Sequence, residues 1–253
     1  MKPDISLFFP AYNERNNIKP LVSSAEKLLK EVAGKYEIIL VCYAAATDGT
    51  PEYAKKLALK NPHLRIIIQP KSKPGVGVGY YTGMKAARYP CVMFADSDNQ
   101  FDLSEFKKLL KFYPKYDLIT GYKKKRQDPF MRVFTSKVYN ILLRAFFDIG
   151  VRDADCAFKI YKKEITDRIR LTFTTGILVP ELLIKARRLG YTFKEVPVTH
   201  FPRTAGDATY QTGAGFVKFQ TVMNVIKDMI ALKKELKKNW VTPSSRKEAH
   251  TSR

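Results

Sequence analysis

Residues 92–101, VMFADSDNQF, run from an apolar segment straight into Asp96, Ser97 and Asp98, followed by Asn99 and Gln100. A short apolar run that stops at polar residues is the pattern of a strand buried on both faces, as in a parallel sheet flanked by helices. Two carboxylates one residue apart at its end project from one rim. They bring two hard oxygen ligands close together, which suits Mg2+ or Mn2+ holding a diphosphate. Asp-rich turns also cap helices and close loops, so D-x-D by itself says little. Its meaning comes from its position after a buried strand, with Gln100 as a further oxygen ligand.

Upstream, short apolar runs alternate with amphipathic stretches. Ile5 to Phe9 reads as a strand that stops at Pro10. Residues 18–34, IKPLVSSAEKLLKEVAG, space apolar side chains at helical intervals and end on Gly34, a natural C-terminal cap. YEIILVCY (36–43) is a second strand, and TDGTPEYAKKLALKN (47–61) is a helix whose Pro51 suits the first turn. LRIIIQP (64–70) is a third strand, GVGVGYYTGMKAARY (75–89) a glycine-rich loop running into a helix, and CVMFA (91–95) the fourth strand. This βαβαβαβ series implies a mostly parallel sheet with helices on both faces, whose ligands bind outside the carboxyl ends of the strands. Tyr12, Asn13 and Glu14, then Thr47 and Asp48, then Asp96 to Gln100 share that rim. The glycines after the third strand are read as a tight turn and close helix packing, because a dinucleotide fingerprint requires an acidic residue that is missing here.

Beyond Leu118, GYKKKRQDPFMR (121–132) reads as a basic loop and TSKVYNILLRAFFDIG (135–150) as a helix with a broad apolar face. RDADCAFKIY (152–161) reads as a polar-tipped strand, PELLIKARRLG (180–190) as a helix, YTFKEVPVTHF (191–201) as a strand and PRTAGDATYQTGAG (202–215) as a loop. Residues 215–238 form a long amphipathic helix. With no internal repeat and no linker rich in Gly or Pro, the expected organisation is one domain over 1–215, an amphipathic helix that is a candidate for membrane association over 216–240, and a disordered tail over 241–253.

Forty-five Lys and Arg against 24 Asp and Glu give a formal charge of +21, which calls for an anionic partner. An anionic membrane surface and a phosphorylated substrate both qualify, whereas nucleic acid is not expected, since no recognition motif accompanies the charge. Cys42, Cys91 and Cys156 form no CxxC pair and are read as buried thiols of a reducing compartment. The opening MKPDISLFFPAY has no signal-peptide core, and no stretch approaches the roughly 18 consecutive apolar residues of a spanning helix. The expected location is cytoplasmic, peripheral at the cytoplasmic face of a membrane. Lys233, Lys234, Lys237, Lys238 and Trp240 after the last apolar stripe resemble an interfacial anchor, and Tyr139, Leu142, Leu143, Phe146 and Phe147 offer a second one. A membrane-protein partner or a homo-oligomer is also compatible with such surfaces.

PAYNE, TDGT, DSDNQF, GYKKKRQDP, RDADCAFKIY and VTHFPRTAG, in that order, resemble a family 2 glycosyltransferase of the GT-A fold, a Rossmann-like α/β architecture. The similarity runs from about Ile5 to Ile230 and is greatest to the branch containing dolichyl-phosphate mannose synthase and bacterial polyprenyl-phosphate glycosyltransferases. The resemblance implies transfer of a hexose, with inversion, from a GDP- or UDP-linked donor to a polyprenyl or dolichyl phosphate, with Mg2+ or Mn2+ as cofactor. It assigns Pro10, Tyr12, Glu14, Tyr43, Asp96 and Lys123 to the donor nucleotide, and Asp96, Asp98 and Gln100 to the metal. Asp98, Asp153 and Arg126 fall at the reacting centre, and Arg132 and Arg203 at the acceptor phosphate. Transfer builds positive charge at the anomeric carbon while the leaving diphosphate gains negative charge, so a metal and cations help. A phosphate acceptor is already an anionic nucleophile and needs no strong base; Asp153 then orients a ligand rather than removing a proton.

The departures bear on the donor. Tyr43, Ala44, Ala45 and Ala46 occupy positions where many relatives have D-D-G-S, so no carboxylate is offered to the base or ribose before Asp48. Tyr43 then supplies a different base contact, by stacking or through its hydroxyl, or donor binding is weakened to the point of inactivity. Ala157 stands where Gly is usual, and Ala208 and Thr209 replace a usual Ser-Lys. The alternative functions are transfer to a soluble or polysaccharide hydroxyl, which needs Asp153 or Asp155 as a true base, and a catalytically impaired binding homologue. His200, a lone histidine at a strand end, is read as a structural hydrogen-bonder.

Overall fold

The computed structural model describes residues 1–126, 130–202 and 219–238, and the side chains within them apart from those of 125, 126, 130–132, 219 and 221. Four strands of the first half, β1 (Ile5–Ala11), β2 (Tyr36–Tyr43), β3 (Leu64–Gln69) and β4 (Cys91–Ala95), pair in parallel in the order β3-β2-β1-β4. Side chains alternate across a pleated strand. Leu7 and Phe9, Ile38 and Leu40, and Cys91 and Met93 therefore enter one core, while Phe8, Ile39, Val41, Val92 and Phe94 enter the other.

Among the described residues, eight α-helices connect or flank the strands: α1 (Arg15–Val32), α2 (Thr50–Ala58), α3 (Val76–Ala86), α4 (Phe106–Leu110), α5 (Phe130–Phe146), α6 (Lys163–Arg168), α7 (Leu178–Arg188) and α8 (Phe219–Lys238). The first core lies under α1, α2 and α4, and the second under α3 and α5 to α8. Both faces are thus covered, which is why the strands of the first half are mostly apolar rather than alternating regularly with polar residues. The glycines of α3 serve close packing: a Cβ on Gly83 would stand 2.2 Å from Cδ2 of Phe8, and one on Gly77 2.2 Å from the carbonyl oxygen of Thr174.

Three further strands, β5 (Leu118–Arg126), β6 (Phe158–Lys162) and β7 (Phe193–His200), complete a seven-stranded sheet in the order β3-β2-β1-β4-β6-β5-β7. β6 runs antiparallel to both β4 and β5, and β5 pairs in parallel with β7. Three expectations are corrected here. β1 does not stop at Pro10 but continues through it to Ala11, because β4 pairs with β1 only as far as Phe8 and no ladder bond is asked of the missing N–H. GYKKKR is strand, not loop: Gly121 to Arg126 match Val196 to His200 across the ladder, and backbone pairing overrides a composition that reads as solvated. RDADCAFKIY becomes strand only at Phe158, since Asp153 O accepts from Cys156 N and closes a turn before it. The short α4 and α6 lie below the length that periodicity detects.

α8 lays Met229, Leu232 and Leu236 into the second core, and Asp228 and Glu235 tie it to the sheet side. Thr175 Oγ1 donates to Asp228 Oδ2 at 2.6 Å, and Lys185 Nζ to Glu235 Oε1 at 2.7 Å. Lys185 also pairs at 2.6 Å with Glu181, whose carboxylate accepts from the backbone N–H groups of Thr172 and Phe173. No helix among the described residues is long and apolar enough to cross a membrane. All three cysteines are buried thiols.

Candidate active site

The carboxyl ends of β1, β2 and β4 open into a cleft of about 650 Å³. Pro10, Tyr12, Glu14, Tyr43, Asp96, Asp98 and Lys123 line it, so the structure brings the expected donor-side residues together. Two loops are locked to each other beneath them. Ser97 Oγ donates to Pro10 O at 2.6 Å, Asn17 Nδ2 to Glu14 Oε2 at 2.5 Å, and Asn99 Nδ2 to Asn17 Oδ1 at 3.3 Å. Asn13 and Asn99 both adopt positive φ, 55° and 57°, a conformation that Asn tolerates better than most residues, and so each loop turns sharply off its strand.

The side wall is aromatic where relatives of the resembled family carry acid. The Tyr12 and Tyr43 rings lie 5.6 Å apart at 52°, and the Tyr43 hydroxyl donates to Lys71 O at 3.2 Å. Gln69 holds the same loop by donating to Lys73 O at 2.6 Å and Gly75 O at 3.1 Å. Asp48, the first carboxylate after Tyr43, is committed elsewhere. It accepts from Arg15 N and Thr50 N, both at 2.9 Å, and so fastens the starts of α1 and α2.

At the end of β4, the Tyr80 hydroxyl donates to Asp96 Oδ1 and Gln100 N donates to Asp98 Oδ1 at 3.1 Å. Burial, and then the charge of Asp98, push the Asp96 carboxyl up to about 7. Among the described residues no group of three or more His, Cys, Asp or Glu is arranged to hold a metal ion. The donor set instead fits an ion that takes one or two carboxylates here and its other oxygens from a diphosphate, the usual habit of Mg2+. Gln100 does not join that set. Its Nε2 donates to Phe201 O at 2.8 Å, its Oε1 is buried without a partner among the described residues, and it is absent from the cleft lining. The cause is the positive φ of Asn99 between the two residues, which breaks the two-residue alternation of the strand, so Gln100 joins β4 to the end of β7 instead.

Because β6 is reversed, the turn that enters it stands beside the exit from β4. Lys123 N donates to Asp153 Oδ2 at 3.3 Å, and the Lys123 ammonium lies 3.7 Å from the same oxygen. Asp153 is thereby turned toward β5 and is not among the lining residues, whereas Asp155, two positions on, is. Tyr80 is the residue that sequence reasoning passed over, and Asp155 enters it only as an alternative base beside Asp153. Tyr80 is marked only by its place in the glycine-rich helix, and Asp155 only by its nearness to Asp153. The side chains of Arg126 and Arg132, and Arg203 as a whole, lie outside the described residues.

Away from the carboxylates the cleft becomes apolar. Val138, Tyr139 and Leu142 of α5, Leu178 and Val179 of α7, and Val222, Val225, Ile226 and Met229 of α8 line this half. The Ser136 hydroxyl, at the junction of the two halves, has no partner among the described residues. Along α5, Phe134, Val138 and Ile141 are 52%, 40% and 56% exposed, one stripe at i, i+4 and i+7 that includes the cleft-lining Val138, with Lys137 and Arg144 exposed beside it.

The family model "Glycosyl transferase family 2" matches residues 6–170. Glycosyltransferase AglD of Haloferax volcanii is 26% identical over 249 residues, covering 94% of this chain and 37% of the relative. Undecaprenyl-phosphate 4-deoxy-4-formamido-L-arabinose transferase of Pseudomonas fluorescens is 24% identical over 213 residues, covering 81% of this chain and 60% of the relative. The chain thus spans between about a third and three fifths of these proteins' length. Among solved structures, mannosyl-3-phosphoglycerate synthase from Rubrobacter xylanophilus superposes with a TM-score of 0.68 at 14% identity, covering 94% of this chain and 77% of that one. Glucosyl-3-phosphoglycerate synthase from Mycobacterium tuberculosis, in complex with Mn2+, UDP-glucose and phosphoglyceric acid, superposes with a TM-score of 0.66 at 18% identity, covering 91% of this chain and 78% of that one. At such identities the likeness speaks for the fold, which is GT-A.

Proposed function

Because the chain belongs to glycosyl transferase family 2, we propose that it moves a hexose from a nucleotide sugar to a polyprenyl phosphate, while attached to the cytoplasmic face of an anionic membrane. The observation that carries this reading is the two-sided cleft: carboxylates and Lys123 at one end, an apolar trough between α5, α7 and α8 at the other. An acceptor with a phosphate head and a hydrocarbon tail matches both halves, and burying its tail is favourable by roughly 25 cal/mol per Å² of apolar surface. The name of the Pseudomonas fluorescens relative, which specifies undecaprenyl phosphate, supports the same acceptor class.

Asp96 and Asp98 would hold Mg2+ or Mn2+, which when bound offsets the charge growing on the leaving diphosphate. Tyr43 and Tyr12 offer the nucleobase a face rather than a carboxylate, Lys123 supplies a cation near the phosphates, and Asp155 faces the reacting end. The first test incubates the protein with GDP- and UDP-sugars, Mg2+ or Mn2+, and either a polyprenyl phosphate or 3-phosphoglycerate, and follows label into the organic or the aqueous phase. Lipid-phase product is expected; product in the aqueous phase alone would move the assignment to a soluble phosphate acceptor, and no product with any donor would leave a binding homologue. Tyr43→Ala should raise the donor KM about tenfold with kcat nearly unchanged, as for loss of one aromatic contact. An unchanged KM would remove Tyr43 from the base site.

The exposed α5 stripe and the +21 charge support the membrane reading. Phe134→Glu with Ile141→Glu should weaken co-flotation with vesicles containing anionic phospholipid by at least about tenfold, since burying such side chains contributes about 1.5–3 kcal/mol each. Equal flotation of wild type and variant would reject α5 as the contact.

A further inference from the structure

We infer that Lys159 is a positioning residue for transfer: from inside the sheet it fixes the turn that carries Asp155 into the cleft. This rests on the functional reading above. Lys159 lies on β6 with 0% of its surface exposed, an unusual site for an ammonium group, since burying a charge is costly unless it is paired or hydrogen-bonded. Burial pushes its pKa below the ordinary lysine value. Its hydrogen bonds are to the turn: Nζ donates to Cys156 O and, at 3.4 Å, to Ala154 O. Those two carbonyls flank Asp155. A leucine or methionine here would fill the same space without satisfying them, so a filling role alone does not account for the cation.

Three backbone N–H groups of the turn are occupied as well, while Asp153 Oδ1 is buried without a partner among the described residues. Ala154 N donates to Asn140 Oδ1 of α5 at 2.9 Å, Arg152 N to Glu195 Oε1 of β7 at 2.7 Å, and Cys156 N to Asp153 O at 3.3 Å. Asn140 is itself oriented by donating to Ser136 O at 2.9 Å. The turn is therefore held from α5, from β7 and from below by Lys159, which is more restraint than a surface turn needs for stability. The outcome is a fixed direction for one exposed carboxylate at the junction between the two halves of the cleft.

The test is a double-mutant cycle in the full chain, read as kcat and donor KM in the lipid-phase assay, with Lys159→Met, Asp155→Asn and the pair. Lys159→Met should lower kcat by about 10- to 100-fold, the scale of a small misplacement of a reacting group, and leave donor KM within about twofold. In the Asp155→Asn background the same substitution should change kcat by less than about threefold, because residues acting through one another are not additive. Full additivity, or a loss that falls on KM alone, would overturn the proposal. Wild-type activity of Asp155→Asn would instead overturn the reading of the turn as part of the site, independently of Lys159. If Lys159→Met is not recovered folded, Lys159→Arg carries the cycle: a loss of kcat that vanishes with Asp155→Asn supports positioning, and full activity identifies Lys159 as a purely structural cation.

Discussion

Asp98→Asn is expected to reduce turnover by about 10²–10³-fold, the scale of removing one group that stabilises developing charge, with donor-nucleotide binding measured without metal unchanged. Asp98 is buried beside Asp96 in the cleft, and the substitution keeps the amide-sized shape while removing one hard anionic oxygen. Chelation of divalent ions from the wild type should give a loss of the same size, and chelation of the variant little more. Wild-type turnover of Asp98→Asn, or of the chelated protein, would end the two-carboxylate reading. The Asp96 carboxyl, raised to about 7 by burial and by Asp98, adds a pH signature. Its folded-state pKa lies above the unfolded value, so its contribution to metal-free stability is complete at low pH and is lost as the pH rises through about 7. Metal binding requires the ionised form, so turnover at limiting Mg2+ should rise over that same interval.

Gly83→Val should be the most damaging substitution far from the chemistry. A Cβ there would meet Phe8 at 2.2 Å, and the Phe8 ring cannot yield, being fully buried and stacked on Phe94 with centroids 5.2 Å apart. Overpacking of this kind costs about 3 kcal/mol or more, which for a chain of this size lowers Tm by roughly 10 °C. Gly176→Ala is the control: its Cβ would meet only Val225 Cγ2, at 3.8 Å, and Tm should stay within about 2 °C. Equal melting of Gly83→Val and wild type in a thermal scan would mean that α3 does not pack on Phe8 as closely as described.

The first half of the fold is legible because its strands are short, apolar and buried on both faces: YEIILVCY and CVMFA are β2 and β4 residue for residue. The glycines of α3 are legible as packing residues for the same reason, since nothing but close approach requires them. GYKKKR is hidden because a run of cations reads as solvated, and nothing local to it announces the ladder with VPVTH that forms it. The reversal of β6 is invisible because strand direction is decided by pairing across the chain and leaves no local pattern. That reversal also decides the site, by bringing the turn of Asp153 and Asp155 beside Asp96 and Asp98. Within such a turn the two-residue period of a strand no longer applies, so the choice between Asp153 and Asp155 cannot be made from spacing. Gln100 fails as an expected ligand on the same ground. Asp48 was legible as a polar group on the rim, but its capping of two helices depends on α1 and α2 starting side by side.

The register of β4 on β6, with Ala95 opposite Phe158, has a metric consequence. One partner ends where the other begins, so the segments that carry Asp96 and Asp155 leave the sheet from a single rung, although they lie far apart along the chain. Neighbouring strands are spaced about 4.8 Å apart by their hydrogen bonds. The interval between the two carboxylate-bearing segments is thus a lattice constant of the sheet, and its tolerance is that of a β-ladder.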